Sequence, residues 1–110
     1  MTPPLPVFLT AGAERDLTAL ADWITAQRGQ DAGDALLDRM LAWVETLEHF
    51  PDRGAVPPEL ELLGIRDFRQ LVHPPWRMIY RVIDGAVYVL LIADGRRDFR
   101  RLLEQRLLGV

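Results

Sequence analysis

The chain has 110 residues, of which 49% are hydrophobic and 26% charged, and a net charge of −3. That is the size of one folded domain and too apolar a composition for a disordered chain. With no cysteine and only His49 and His73, which lack ligand-like spacing, disulfides and thiolate metal sites are excluded, and no metal or other cofactor is expected. The longest apolar run, Ala86 to Ala93, is too short to cross a bilayer, and Met1 to Leu9 lacks the basic and apolar regions of an export signal, so a soluble cytoplasmic protein with no membrane partner is expected.

In chain order, Val7-Phe8-Leu9 follows a proline-rich start and predicts a short extended strand at a sheet edge. Thr10 can cap a helix in which Ala13, Leu17, Leu20, Ala21 and Ile24 recur at three- and four-residue steps. Gly29 ends it, and Asp31 is expected to cap a second helix with the stripe Leu37, Met40, Leu41, Val44 and Leu47, stopped by Pro51 and Gly54. A connection of about four residues makes the two helices an antiparallel hairpin. Trp23 and Trp43 fall within these helical patterns and are expected in the core or hairpin interface.

Arg66 to His73 predicts a strand of imperfect alternation. Trp76 to Ile83 predicts a second, with Met78 and Tyr80 on one face and Arg77 and Arg81 on the other. Tyr80 is expected to pack in the core with its hydroxyl reaching an edge. Asp84-Gly85 suits a type I′ hairpin turn, and the apolar run Ala86 to Ile92 predicts a central strand buried on both faces. A last helix, from about Arg97, carries Phe99, Leu102, Leu103, Arg106 and Leu107. The expected class is α+β, one domain over residues 1–110: an N-terminal edge strand, a helical hairpin, an antiparallel three-stranded meander completing a four-stranded sheet, and a C-terminal helix.

Charge is divided unevenly along the chain. Residues 1–60 hold four arginines against ten acidic residues, residues 61–110 nine against six, and all thirteen basic residues are arginine. An anion-binding surface is therefore expected in the second half, built from guanidinium forks suited to phosphate or carboxylate.

The element order resembles that of the RelE/ParE toxin superfamily of type II toxin–antitoxin systems. Thr10 to Leu17 is similar to the start of its first helix, with Ala13-Glu14-Arg15-Asp16-Leu17 as Ala-x-x-Asp-Leu, and Leu47 to Gly54 to its L-x-x-x-P-x-x-G segment. Trp76-Arg77-Met78-Ile79-Tyr80-Arg81-Val82 and Val89 to Asp98 resemble its third strand and its last strand with an arginine-rich exit. The resemblance implies a growth-inhibiting toxin held by a cognate antitoxin in a hetero-oligomer, as in plasmid-stabilising systems. Its ParE-like branch implies poisoning of DNA gyrase by binding; its RelE-like branch implies ribosome-dependent cleavage of mRNA.

For cleavage, Arg77 and Arg97 are the catalytic candidates, as the matches to two phosphate-facing arginines. The basic residues of the second strand are replaced by Phe68 and Gln70, however, and the C-terminal tyrosine by Leu103. His73, the side chain best suited to proton transfer near neutrality, precedes Pro74-Pro75 and reads as a turn residue. The ParE-like branch is therefore preferred. Arg69, Arg77, Arg96, Arg97, Arg100 and Arg101 are the candidate target-binding residues, and Phe99, Leu102, Leu103 and Leu107 the candidate antitoxin-binding ones. A third reading is a non-toxic relative whose apolar surface serves association. Arg77 and Arg81 could also simply pair with acidic residues of the first half, with Arg81 the better candidate for that role, and Asp94 and Asp98 could cap and pair locally.

Overall fold

The computed structural model describes residues 3–109; Met1 and Thr2, part of the segment read above for an export signal, lie outside it. Strand β1 (Val7–Leu9) leads into helices α1 (Ala11–Arg28) and α2 (Gln30–Glu45), followed by a 3₁₀ turn at Thr46–Glu48 and a one-turn helix α3 (Pro58–Glu61). The meander is β2 (Arg69–His73), β3 (Trp76–Ile83) and β4 (Ala86–Asp94), and helix α4 (Phe99–Leu108) ends the chain. The sheet order is β1-β4-β3-β2, with β1 parallel to β4 and the other pairs antiparallel. This is the α+β arrangement expected from the sequence, with β4 central.

The local reasons are largely those read from the residues. The Thr10 hydroxyl accepts from Ala13 N–H at 3.2 Å and caps α1. Asp84 and Gly85 both have positive φ, 49° and 76°, as a type I′ turn requires. The hairpin connection is shorter than expected: Gly29 alone, at φ 96°, separates the two helices. Asp31 consequently lies in the first turn of α2, and no side chain caps that helix. Close approach of the helices is possible because Gly33 has no side chain, since a Cβ there would meet the Thr25 hydroxyl.

Two apolar clusters flank the sheet. On one side α1, α2 and the 3₁₀ turn lay Ala13, Leu17, Leu36, Met40, Val44 and Leu47 against Leu71, Met78, Tyr80, Val87, Val89 and Ile92. The buried stripe of α2 runs through Leu36 rather than Leu41, which is 37% exposed. Trp43 packs at the edge of this cluster, but Trp23 is 58% exposed, contrary to the expected core position. On the other side Phe99 and Leu103 of α4, with Leu60 of α3, cover Ile79, Leu91 and Ala93.

Strand β4 serves both clusters because of a bulge. Ile79 faces Leu91 while Tyr80 faces Val89, so Leu90 is an extra residue and the alternation reverses across it. β1 stops pairing at Val89, and side chains take over the edge beyond. Ile92 N–H donates to Asp16 Oδ2 of α1 at 3.0 Å, and Arg106 Nη1 of α4 donates to the Leu90 carbonyl at 2.8 Å. Asp16 and Arg106 pair with each other at 2.9 Å and 3.0 Å, tying both helices to the bulge. Among the described residues no helix is long and apolar enough to cross a membrane.

Candidate functional site

Strand alternation places Arg77 on the α4 side of β3, beside Ile79 and opposite Met78. Its guanidinium forms a two-pronged pair with Glu59 of α3, Nη1 to Oε2 at 2.7 Å and Nη2 to Oε1 at 2.8 Å. Nε donates to Gln70 Oε1 at 3.0 Å, and Nη2 donates to the same oxygen. The Arg77 Cζ lies 3.8 Å from the centroid of the Phe99 ring, so the cation is stacked as well as paired. Only 12% of the Arg77 side chain is exposed.

A guanidinium has five N–H donors, and these four hydrogen bonds leave at most one for a ligand. The Arg77 hydrogen bonds hold the Glu59 carboxyl below its ordinary pKa, against the opposing effect of burial. Gly95 lets the arginine stem pass: a Cβ at 95 would stand 2.7 Å from Arg77 Cδ. The sequence allowed Arg77 a plain ion pair with an acidic residue of the first half, and that is its position. Arg81, the better candidate for such a pair, has none among the described residues and lies 5.5 Å above the Phe68 ring instead.

Four further arginines of the second half, Arg96, Arg97, Arg100 and Arg101, gather around the start of α4. Asp98 caps the helix by accepting from Arg101 N–H at 3.2 Å, which answers the unfavourable placement of cations at a helix N-terminus. Arg96, 80% exposed, folds back on Asp94 at 2.6 Å and, with its backbone N–H also donating to that carboxylate, lowers the Asp94 pKa. Arg100 pairs with Glu104 at 3.2 Å in an exposed i,i+4 pair. Arg97 and Arg101 are exposed and, among the described residues, carry no ion pair. Arg69 is elsewhere, donating to the carbonyls of Asp52 at 3.1 Å and Gly54 at 2.7 Å.

Of the apolar candidates, Phe99 and Leu103 are 3% and 1% exposed beneath α4, whereas Leu102 and Leu107 are partly buried at its margins. His73 is exposed at the end of β2, as a turn residue should be. Among the described residues no group of three or more His, Asp or Glu side chains could hold a metal ion. Three residues that shape the site were not singled out from the sequence: Glu59, Asp16 and Arg106. Asp16 did carry a signal, the polar position in Ala13-Glu14-Arg15-Asp16-Leu17, whereas Glu59 lies in a segment without periodicity.

The chain resembles proteins of known structure over most of its length. It aligns with a protein of the chromosomal ParDE toxin–antitoxin system of P. aeruginosa at a TM-score of 0.70 and 21% identity, covering 82% of this chain and 95% of the other. It aligns with the RelBE2 toxin–antitoxin complex of Mycobacterium tuberculosis at 0.60 and 23%, covering 86% and 94%. At these identities the likeness is one of fold. No curated protein sequence matches the chain. Residues 7–99 match the family model of the ParE toxin of the type II toxin–antitoxin system parDE, a span that begins at β1 and ends where Phe99 meets Arg77. By that match, the chain belongs to the ParE toxin family of type II toxin–antitoxin systems.

Proposed function

We propose that the chain is a ParE-like toxin that inhibits growth in the cytoplasm by binding and poisoning DNA gyrase, and that a cognate antitoxin neutralises it in a hetero-oligomer. The observation that carries the preference for binding over RNA cleavage is the state of Arg77. A nuclease needs that guanidinium aimed at a phosphate, and here Glu59, Gln70 and Phe99 take it up. The exposed arginines at the start of α4, Arg97 and Arg101 with Arg96 and Arg100 beside them, form the target-binding surface. Family membership supports the antitoxin partner, and the similar P. aeruginosa structure is of a toxin–antitoxin system.

Cleavage assays on purified gyrase and supercoiled plasmid test this reading. The expected result is accumulation of cleaved DNA that requires both gyrase and the chain. Unchanged supercoiling with no cleaved DNA contradicts it, and codon-aligned cuts in translated mRNA would establish the RelE-like alternative.

A further inference from the structure

Helix α4 covers only part of its side of the sheet. It reaches Ile79, Leu91 and Ala93, and its Arg106 meets the Leu90 carbonyl at the bulge. The next position of β3 on that side is Arg81, and the strand register sets Tyr88 of β4 beside it and Phe8 of β1 beside Tyr88. Phe68, just before β2, lies on the other flank of Arg81. Phe8, Tyr88, Arg81 and Phe68 thus cross the sheet in one row, and every member carries either an aromatic ring or a guanidinium. Adjacent strands are about 4.8 Å apart, so the row runs for roughly 14 Å.

The row is open to solvent. Phe8 is 50% exposed and belongs to neither apolar cluster, while Tyr88, Arg81 and Phe68 are half-buried. The rings of Phe8 and Tyr88 stack with centroids 5.6 Å apart and planes 27° from parallel. Because β1 is the edge strand, the face of the Phe8 ring turned away from Tyr88 is free. Arg81 has no ion pair among the described residues, so the Phe68 ring beneath it holds its charge in place without neutralising it. The positions flanking Arg81 and Tyr88 on the same face of β3 and β4 include Ile79, Ile83 and Ala86, none of them a carboxylate. The packing of the core explains neither an aromatic ring at position 8 nor a cation at position 81.

We infer that this row binds a short single strand of nucleic acid. Bases stack on the aromatic rings at its two ends, Phe8 and Phe68, and Arg81 between them takes a phosphate. Open sheets that present aromatic rings hold about two or three bases in this way, and stacking is tolerant of sequence because every base has a planar face. A protein segment would gain from the rings little that aliphatic side chains would not supply, and would need a carboxylate in register with Arg81. A nucleotide strand brings a ring for each ring and an anion for the guanidinium. The row lies on the sheet face away from the helix hairpin, and past the end of α4 opposite to Arg97 and Arg101. It binds a strand whether or not gyrase is the target.

The test is to titrate the purified full chain, at low salt, into fluorescently labelled oligothymidylate and oligouridylate and follow the anisotropy. Binding is expected for at least one of them, and the tighter of the two identifies the sugar. Phe8→Leu keeps an apolar side chain and removes the stacking face; it is expected to bind about tenfold more weakly with unchanged thermal unfolding. Arg81→Gln is expected to flatten the dependence of log affinity on log salt by about 0.7, which Phe8→Leu should not do. Absence of binding by either oligonucleotide overturns the inference, as does binding that both variants leave unchanged. Binding lost only in Arg97→Ala/Arg101→Ala moves the nucleic acid to the start of α4 and overturns the row as its site. A dimer in sedimentation that Phe8→Leu dissolves, with no oligonucleotide bound, overturns it in favour of a second copy of the chain on this face.

Discussion

The hydroxyl of Tyr80 lies 3.0 Å from the backbone nitrogen of Gly54, whose N–H donates to it, and itself donates to the Pro51 carbonyl at 2.7 Å. The ring is fully buried between the helix hairpin and the sheet, so one side chain of β3 pins the segment that follows α2. The same burial raises the pKa of the phenol, keeping it a neutral donor. Gly54 is required by space: a Cβ there would be 2.5 Å from the Gln70 carbonyl and 2.7 Å from the Tyr80 hydroxyl. Tyr80→Phe is expected to lower stability by about 1–3 kcal/mol, because the Gly54 N–H stays buried without a partner. Gly54→Ala should cost more, since backbone must move. Urea denaturation of both variants checks the order.

Asp16 and Arg106 make a second such tie, at the β4 bulge. Asp16→Ala removes the acceptor of the Ile92 N–H and the partner of Arg106 together, and is expected to cost roughly 2–3 kcal/mol. Asp16→Asn keeps an acceptor for the amide but not the ion pair. Hydrogen exchange separates the two effects: the Ile92 amide should exchange faster in the alanine variant, and α4 in both. Unchanged exchange at α4 in both variants would show that the ion pair does not hold the helix.

Glu59 gives the fold an acid sensitivity of predictable sign. Its folded pKa lies below the ordinary 4.5 because it accepts from Arg77, so its contribution is present above that value and is lost as pH falls below it. Between about pH 5 and pH 3, Glu59→Gln should therefore lose less stability than the parent chain. Parallel acid titration curves for the two proteins would contradict the pairing.

The arginines divide into structural and exposed sets, and that division can be read in cells. Arg97→Ala/Arg101→Ala is expected to leave unfolding within about 0.5 kcal/mol of the parent, as exposed substitutions do, while abolishing growth arrest. Arg77→Ala should melt earlier, because Glu59 is left unpaired under α4 and Phe99 loses its cation. Full toxicity of the Arg97/Arg101 variant would remove those residues from the target-binding surface.

Much of this was legible in the residues. Alternation assigned the faces of Met78, Tyr80 and Arg77; Asp84-Gly85 marked the turn; and the unbroken apolar run of β4 announced burial on both sides. The departures have physical reasons. The hairpin link shrank to Gly29 because a single glycine at positive φ reverses the chain, leaving Asp31 inside the helix. β2 begins at Arg69 rather than Arg66, the residues before it following the short helix α3, which has no periodicity to betray it. The Arg77–Glu59 pair spans 18 positions and depends on how α3 meets the sheet, which no local pattern encodes. The exposure of Trp23 is hidden in the same way, since a helical stripe does not reveal where the neighbouring sheet ends.

The most direct measurement is to induce the chain alone and follow DNA-damage signalling and mRNA integrity in the same cells. The expected result is growth arrest with gyrase-dependent DNA breaks and an SOS response while transcripts stay intact. Cleaved mRNA without DNA damage would contradict it, and would require Arg77 to leave Glu59 during the reaction.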